Sequence, residues 1–272
     1  MTTFSVTKDG KILALSLYTW NEKAKTFSTN ENGLVLDFTD VNGVTFNTGH
    51  SCTFNTGSSC TFNTGHSCTF NTDSYCTFNT FSSCTFNTDS SCIFDTGNSC
   101  IFNTGSNCTF NTGSNCTFDT GTYCTFKTEH ACTFKTGSYC TFNTSSSCTF
   151  NTAQSCKFNT SHSCTFDTGS YCTFNTDSYC TFKTGSDCTF NTSFWCTFNA
   201  GYDCTFEVRE NCFVTRSDVK GMTEIPVNKK IKLNGIGIAG YTVIEEKKET
   251  PTCNGKVVEI DGKQYKLTEI KK

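Results

Sequence analysis

The chain is predicted to be all-β: a β-solenoid (β-helix) of eight-residue repeats, with a small N-terminal β cap and a small C-terminal β module. Three observations predict it. Cysteine recurs at every eighth residue from Cys52 to Cys212, twenty-one times, with no step skipped or lengthened. Each cysteine opens nearly the same word, Cys-Thr-Phe-Asn-Thr, as in Cys52-Thr53-Phe54-Asn55-Thr56. The period is even, so the two-residue alternation of a strand persists from one word to the next. A fixed short period is the mark of stacked repeats that bury their apolar faces against their neighbours.

Residues 1–35 do not repeat and read as short strands and turns, for example Phe4-Ser5-Val6, Lys8-Asp9-Gly10 and Ile12-Leu13-Ala14-Leu15. The octapeptide array is assigned to 36–216. Leu36 and Val44 stand at the cysteine position before the first cysteine, and Phe38 and Phe46 at the phenylalanine position. The word decays at Cys204-Thr205-Phe206-Glu207-Val208 and Cys212-Phe213-Val214-Thr215-Arg216. Atypical flanks are what a solenoid needs, because its end rungs otherwise expose core and strand edges. Residues 217–272 are lysine-rich and contain both prolines, Pro226 and Pro251. Asn234-Gly235, Asn254-Gly255 and Asp261-Gly262 are hairpin turn signals. A hairpin is expected from Val257-Val258-Glu259-Ile260 through Asp261-Gly262 to Gln264-Tyr265-Lys266-Leu267.

Substitutions identify the buried face. Phenylalanine is kept in twenty consecutive words, from Phe54 to Phe206. The second threonine is replaced by Ala200 and Val208, again apolar. The asparagine position accepts Asp95, Asp119, Asp167, Lys127, Lys135, Lys183 and Glu207, so it faces water. Cysteine, phenylalanine and the second threonine therefore point inward, and the first threonine and asparagine outward. The last three positions, as in Gly57-Ser58-Ser59, suit a turn. Glycine at the first of them is replaced by Asp73, Phe81, Glu129 and Ala153, so a corner without a left-handed residue is expected. Two words make a flattened coil of sixteen residues with two facing sheets; three would make a triangular coil of twenty-four. All four histidines, His50, His66, His130 and His162, share one word position at separations of 16, 64 and 32, which favours sixteen. Residues 44–211 then form 10.5 coils, a rod about 50 Å long at roughly 4.8 Å per rung.

The net charge of −3 gives no basic grip for nucleic acid, and no nucleic-acid partner is expected. No run approaches the roughly 18 apolar residues of a membrane span. The stretch Ile12–Tyr18 is too short for a secretory signal, so synthesis in a cytoplasm is expected, where thiols stay reduced. No phosphate loop, nucleophile elbow or His-Glu-x-x-His motif occurs, and no enzyme activity is expected.

Three features carry candidate chemistry. The cysteines could form a thiol ladder that cross-links or binds Cu(I) or Zn. Read plainly, they are small hydrophobes filling a narrow core corner, as Leu36 and Val44 suggest, and neither a metal site nor a cofactor is assigned. The outward ranks Thr53, Asn55, Thr61, Asn63, Thr69 and Asn71 form a repetitive surface, although threonine is also simply a good exposed strand residue. Tyr75, Tyr123, Tyr139, Tyr171, Tyr179 and Trp195 precede cysteines on outward corners, where aromatics can stack on sugars, anchor a protein partner or pack between rungs. A protein or glycan surface, or self-association end to end or side by side, are the partners considered.

The octapeptide words, the leader Tyr18-Thr19-Trp20-Asn21-Glu22 and the closing Glu259-Ile260-Asp261-Gly262-Lys263-Gln264-Tyr265-Lys266-Leu267 resemble repeat proteins encoded by large tailed phages and other large DNA viruses. That resemblance implies virion decoration, a fibre or host-surface contact. In architecture and Thr-Cys richness, the chain is also similar to insect β-solenoid antifreeze proteins, which implies ice binding. There the Thr-x-Thr rank would here be Thr-x-Asn, interrupted by Asp95, Lys127 and Lys157 on one face and by Asp119, Lys135, Asp167 and Lys183 on the other. Pentapeptide-repeat proteins share the stacked-ladder principle, but their period of five is absent. The leading expectation is a non-enzymatic structural or adhesive scaffold associated with a virion or fibre; the alternatives are an ice-binding protein and a metal-binding thiol ladder.

Overall fold

A computed structural model describes residues 3–210, 212–245, 257–261 and 263–266. Successive words alternate between two sheets, and each strand pairs in parallel with the strand sixteen residues on, as Phe118 does with Phe134 and Phe110 with Phe126. The coil is thus the two-word coil. Each sheet has fifteen strands. The first runs from Leu34–Phe38 through Thr53–Thr56 and its successors to Cys212–Arg216, the second from Thr26–Ser28 through Thr45–Asn47 to Thr205–Val208. Twelve parallel rungs in each sheet make a rod about 53 Å long.

Core chemistry follows from the alternation. Phe118 is 1% exposed and lies between Phe102 and Phe134 of its own column, with centroids 4.7 and 4.8 Å away and rings 3–4° from parallel. It meets Phe110 and Phe126 of the facing sheet edge-on, at 5.3 and 5.2 Å. Offset stacking within columns and T-shaped contact between them are the two favoured aromatic geometries, and here each ring makes both. Near-parallel rings on successive rungs also mean that the coils scarcely rotate. Sheets usually twist by about 20–25° per strand, and untwisted ones need side-chain ladders to hold them flat.

Two expectations about detail are corrected. The corner does use a left-handed residue, and it is the one immediately before cysteine: Ser59, Tyr75, Asn107, Tyr123 and Trp195 all have φ between 58° and 63°. None of these corner positions is glycine. The cost, of order 1 kcal/mol each, is offset because every coil repeats the corner and ties it down. Tyr123 N–H, for example, donates to the Ser138 carbonyl of the next coil at 3.0 Å.

The corner glycines have another purpose. A Cβ on Gly113 would lie 1.9 Å from Asn98 Oδ1, which accepts the Ser114 N–H at 2.9 Å. Gly105 and Gly185 likewise leave room for Ser90 and Ser170 Oγ to accept the N–H of the residue that follows each glycine. Gly113→Ala should displace Asn98, orphan that N–H and lower stability by about 1–2 kcal/mol. An unchanged denaturant midpoint would refute the close-approach role.

The second correction concerns register. Val44 and Phe46 occupy the expected positions, but Leu36 pairs with Phe54 and Phe38 with Thr56, so the first strand is displaced by two residues. A longer corner, Thr39 to Gly43, absorbs the difference, with Gly43 at φ 73°. An even shift keeps every side chain on its face, so Leu34, Leu36 and Phe38 all stay buried.

Both ends are closed by antiparallel strands. Ser5–Lys8 pairs with Leu34–Phe38, and Thr19–Asn21 with Thr26–Ser28. Val219–Ile225 pairs with Cys212–Arg216, and Lys230–Leu233 with Thr205–Val208. Phe4 stacks on Phe38 at 4.3 Å, ending the aromatic columns at that end. At the other end Arg216, on the inward register of the second threonine, has only 3% of its side chain exposed. Its guanidinium donates to both oxygens of Asp218 and to the carbonyls of Asn234, Gly235 and Ile238. The hairpin Val257–Ile260 with Lys263–Lys266 forms a separate two-stranded sheet. Asn254-Gly255 and the end of the closing segment lie outside the described residues.

Candidate functional site

The rod offers two flat faces and two corner edges. Strand alternation places Thr53, Asn55, Thr69 and Asn71 on the outer face of the first sheet, and Thr61 and Asn63 on that of the second. The sequence-predicted surface residues therefore divide between opposite faces. The asparagines bond along their columns: Asn71 Nδ2 donates to Asn55 Oδ1 at 2.9 Å, Asn87 to Asn71 at 3.0 Å and Asn63 to Asn47 at 3.0 Å. Such a ladder leaves each amide further hydrogen-bonding capacity for water or a partner.

Charges break the two faces differently. On the first, they fall on neighbouring rungs and pair, Lys135 with Asp119 at 2.7 Å and Lys183 with Asp167 at 2.9 Å. On the second, Asp95 accepts from Asn111 at 3.0 Å, and Lys127 lies two rungs along from Asp95. The threonine ranks are interrupted once on the first face, at Ile101, and by Ile93 and Lys157 on the second, over 53–200.

The aromatics also separate. Tyr75, Tyr123, Tyr139 and Tyr171 stand on one corner edge, while Tyr179 and Trp195 stand on the other with the four histidines. All six aromatics are 49–69% exposed. Tyr123 and Tyr139, on adjacent rungs, stack at 4.9 Å, as His50 and His66 do at 4.6 Å. Tyr179 meets Phe194 edge-on at 5.9 Å, a contact the word pattern did not suggest because Phe194 replaces a polar corner residue.

The thiols are sealed inside. All twenty-one array cysteines are buried and joined by no disulfide. Cys116 Sγ lies 3.6 Å from the carbonyls of both Gly97 and Ser114, a backbone cradle that repeats up each column. Hydrogen bonds with Cys100 and Cys132, and then burial, raise the Cys116 thiol above its ordinary range, while burial alone leads the rise at Cys212. A thiol buried out of reach of solvent is unreactive. A thiol reagent should therefore titrate at most one of the chain's 22 cysteines in native protein and all 22 after denaturation. Rapid reaction of several native thiols would contradict the sealed core. Cys253 lies outside the described residues.

Among the described residues, no three or more His, Cys, Asp or Glu side chains gather as a metal-binding group, and no helix is long and apolar enough to cross a membrane. A cleft of about 570 Å³ lies beside the N-terminal cap, lined by Leu17, Tyr18, Thr29, Asn47 and Thr48 among others. No family model, curated protein or solved structure matches the chain.

Proposed function

We propose that the chain is a non-enzymatic structural rod, a virion- or fibre-associated protein that displays a repetitive Thr/Asn surface to a protein or glycan partner. The observation carrying this reading is the division of chemistry across the coil. The reactive side chains of the repeat, its thiols, face inward and are shut away from solvent, while the outward side chains recur at one rung spacing along flat faces. Such an arrangement multiplies one weak contact along a rigid length, the geometry in which repeated sites gain avidity. The virion assignment rests on the resemblance of the words, leader and closing segment. Antibodies against the array should decorate purified particles of the encoding virus in electron micrographs. Label found only in the soluble fraction of infected cells would overturn it.

A second reading has one observation in its favour. The first-sheet threonine rank, from Thr53 to Thr197, is flat and broken only at Ile101, which suits ice binding. Beside it, however, run four charged side chains that would interrupt an ordered water layer. Measurable thermal hysteresis at about millimolar protein would move this reading ahead; its absence would remove it.

A further inference from the structure

We propose that the outer face of the first sheet is a docking surface for a second copy of this chain, with the two rods antiparallel and face to face. Along the asparagine column of that face the order is Asp119, Lys135, Asn151, Asp167, Lys183, one residue per rung. Reversing this order about Asn151 exchanges acid for base at every charged position. A twofold axis lying in the interface along the strand Thr149–Thr152 therefore sets Lys135 against Asp167 of the second copy, and Asp119 against Lys183. It also sets Asn151 against its own equivalent. All four charges are met by their opposites.

Other registers do worse. An axis midway between Asp119 and Lys135 pairs only those two positions, and a parallel arrangement lays the charged column on threonines. The second sheet lacks the property: reversal about Asn111 pairs Asp95 with Lys127 but leaves Lys157 facing Thr61. An isologous interface requires a self-complementary patch, and only the first face supplies one that uses all its mid-rod charges.

Shape permits the contact. Rings stacked along the first-sheet column from Phe102 to Phe182 are 3–4° from parallel, so the face does not wind away from a straight partner. The side chains concerned are accessible: Lys135 and Asp119 are 70% and 57% exposed, Lys183 and Asp167 69% and 55%. Overlap runs over nine rungs, from Thr85–Thr88 to Cys212–Arg216. Four residues by nine rungs gives a footprint of roughly 500 Å² per copy, or about 1,000 Å² in all, the lower end for a specific interface. A weak, micromolar, salt-sensitive dimer is the expected strength, with charge setting register more than affinity.

Two double variants separate pairing within the chain from pairing between chains. Asp119→Lys with Lys135→Asp preserves the internal ion pair but makes the charge order symmetric, so like charges would meet across the interface. Lys135→Asp with Asp167→Lys destroys both internal pairs yet retains the antisymmetry. Sedimentation equilibrium at about 1–200 µM protein in low salt should show a monomer–dimer equilibrium for the natural chain. It should be weakened about tenfold or more by the first variant and stay within about threefold in the second. Circular dichroism checks that both remain folded, as substitutions at exposed positions allow. A natural chain that stays monomeric, a first variant that dimerises normally, or a second that does not would each overturn the proposal. None of these outcomes bears on the structural-rod reading, which particle labelling tests separately.

Discussion

Phe118→Asp should yield no folded rod. Phe118 touches four other rings, two in its own column and two across the coil, and has 1% of its surface exposed. Removing a buried phenylalanine costs about 3–5 kcal/mol, and an unpaired carboxylate left in its place adds several more. Those losses are comparable with the about 5–15 kcal/mol that a natural domain commonly holds in reserve. Because each coil contacts only its neighbours, a broken rung also divides the array into two halves, each with one raw end. Asn143→Lys is the control. Asn143 is exposed, so even with Lys127 as its rung neighbour the change should cost no more than about 1 kcal/mol. Circular dichroism and denaturant melts of the two variants decide the matter. Folded Phe118→Asp together with unfolded Asn143→Lys would invert the inward and outward faces.

Arg216→Ala should release the C-terminal closure while leaving the middle of the rod intact. The guanidinium is the common partner of one carboxylate and three backbone carbonyls, so deleting it takes a donor from four acceptors, of which Asp218 and Gly235 keep the N–H groups of Gly237 and Ile238. Leaving buried carbonyls short of a donor costs about 1–3 kcal/mol. Local opening should be seen as lost amide protection over 219–243 with protection near 117–136 retained; uniform protection would refute the closure role. Acid acts on the same contact. The Arg216 guanidinium, helped by the Gly237 N–H, lowers the Asp218 carboxyl from 3.8 to about 2. A carboxyl depressed in the folded state contributes stability that is present above its unfolded value and lost as pH falls through its folded one. The closure should therefore hold above about pH 4 and loosen between about 4 and 2.

What could be read in the sequence was whatever repetition makes redundant. Twenty copies of one word test each position twenty times, and Lys135, Asp167 or Val208 report which side meets water. The parity of the histidines gave the coil. Less visible were features in which backbone geometry is set by neighbouring coils rather than by the residue concerned. A left-handed tyrosine or tryptophan is a poor local choice, and Tyr123 or Trp195 adopts it because the stacked corner holds it there. Corner glycine was legible as a turn residue but not as clearance for the side chain below, since Gly113 and Asn98 are fifteen residues apart. Arg216 was hidden in the degenerate last word, where a charge on the inward register makes sense only against the carbonyls of 234–238. Self-complementary charge on one face emerges only after the words are dealt alternately to two sheets.

The lack of rotation from coil to coil has a consequence for how such a chain can vary in length. In a twisting solenoid, every added turn re-aims whatever lies beyond it. Here, gain or loss of sixteen residues would move the far end by about one rung and leave its compass bearing unchanged. Edges, faces and both closures would keep their alignment, so copy number can drift as a pure ruler setting. An eight-residue change is another matter, since it would exchange the two faces downstream and present the C-terminal closure to the wrong sheet. The natural unit of insertion or deletion is therefore the pair of words, though the sequence repeats with half that period.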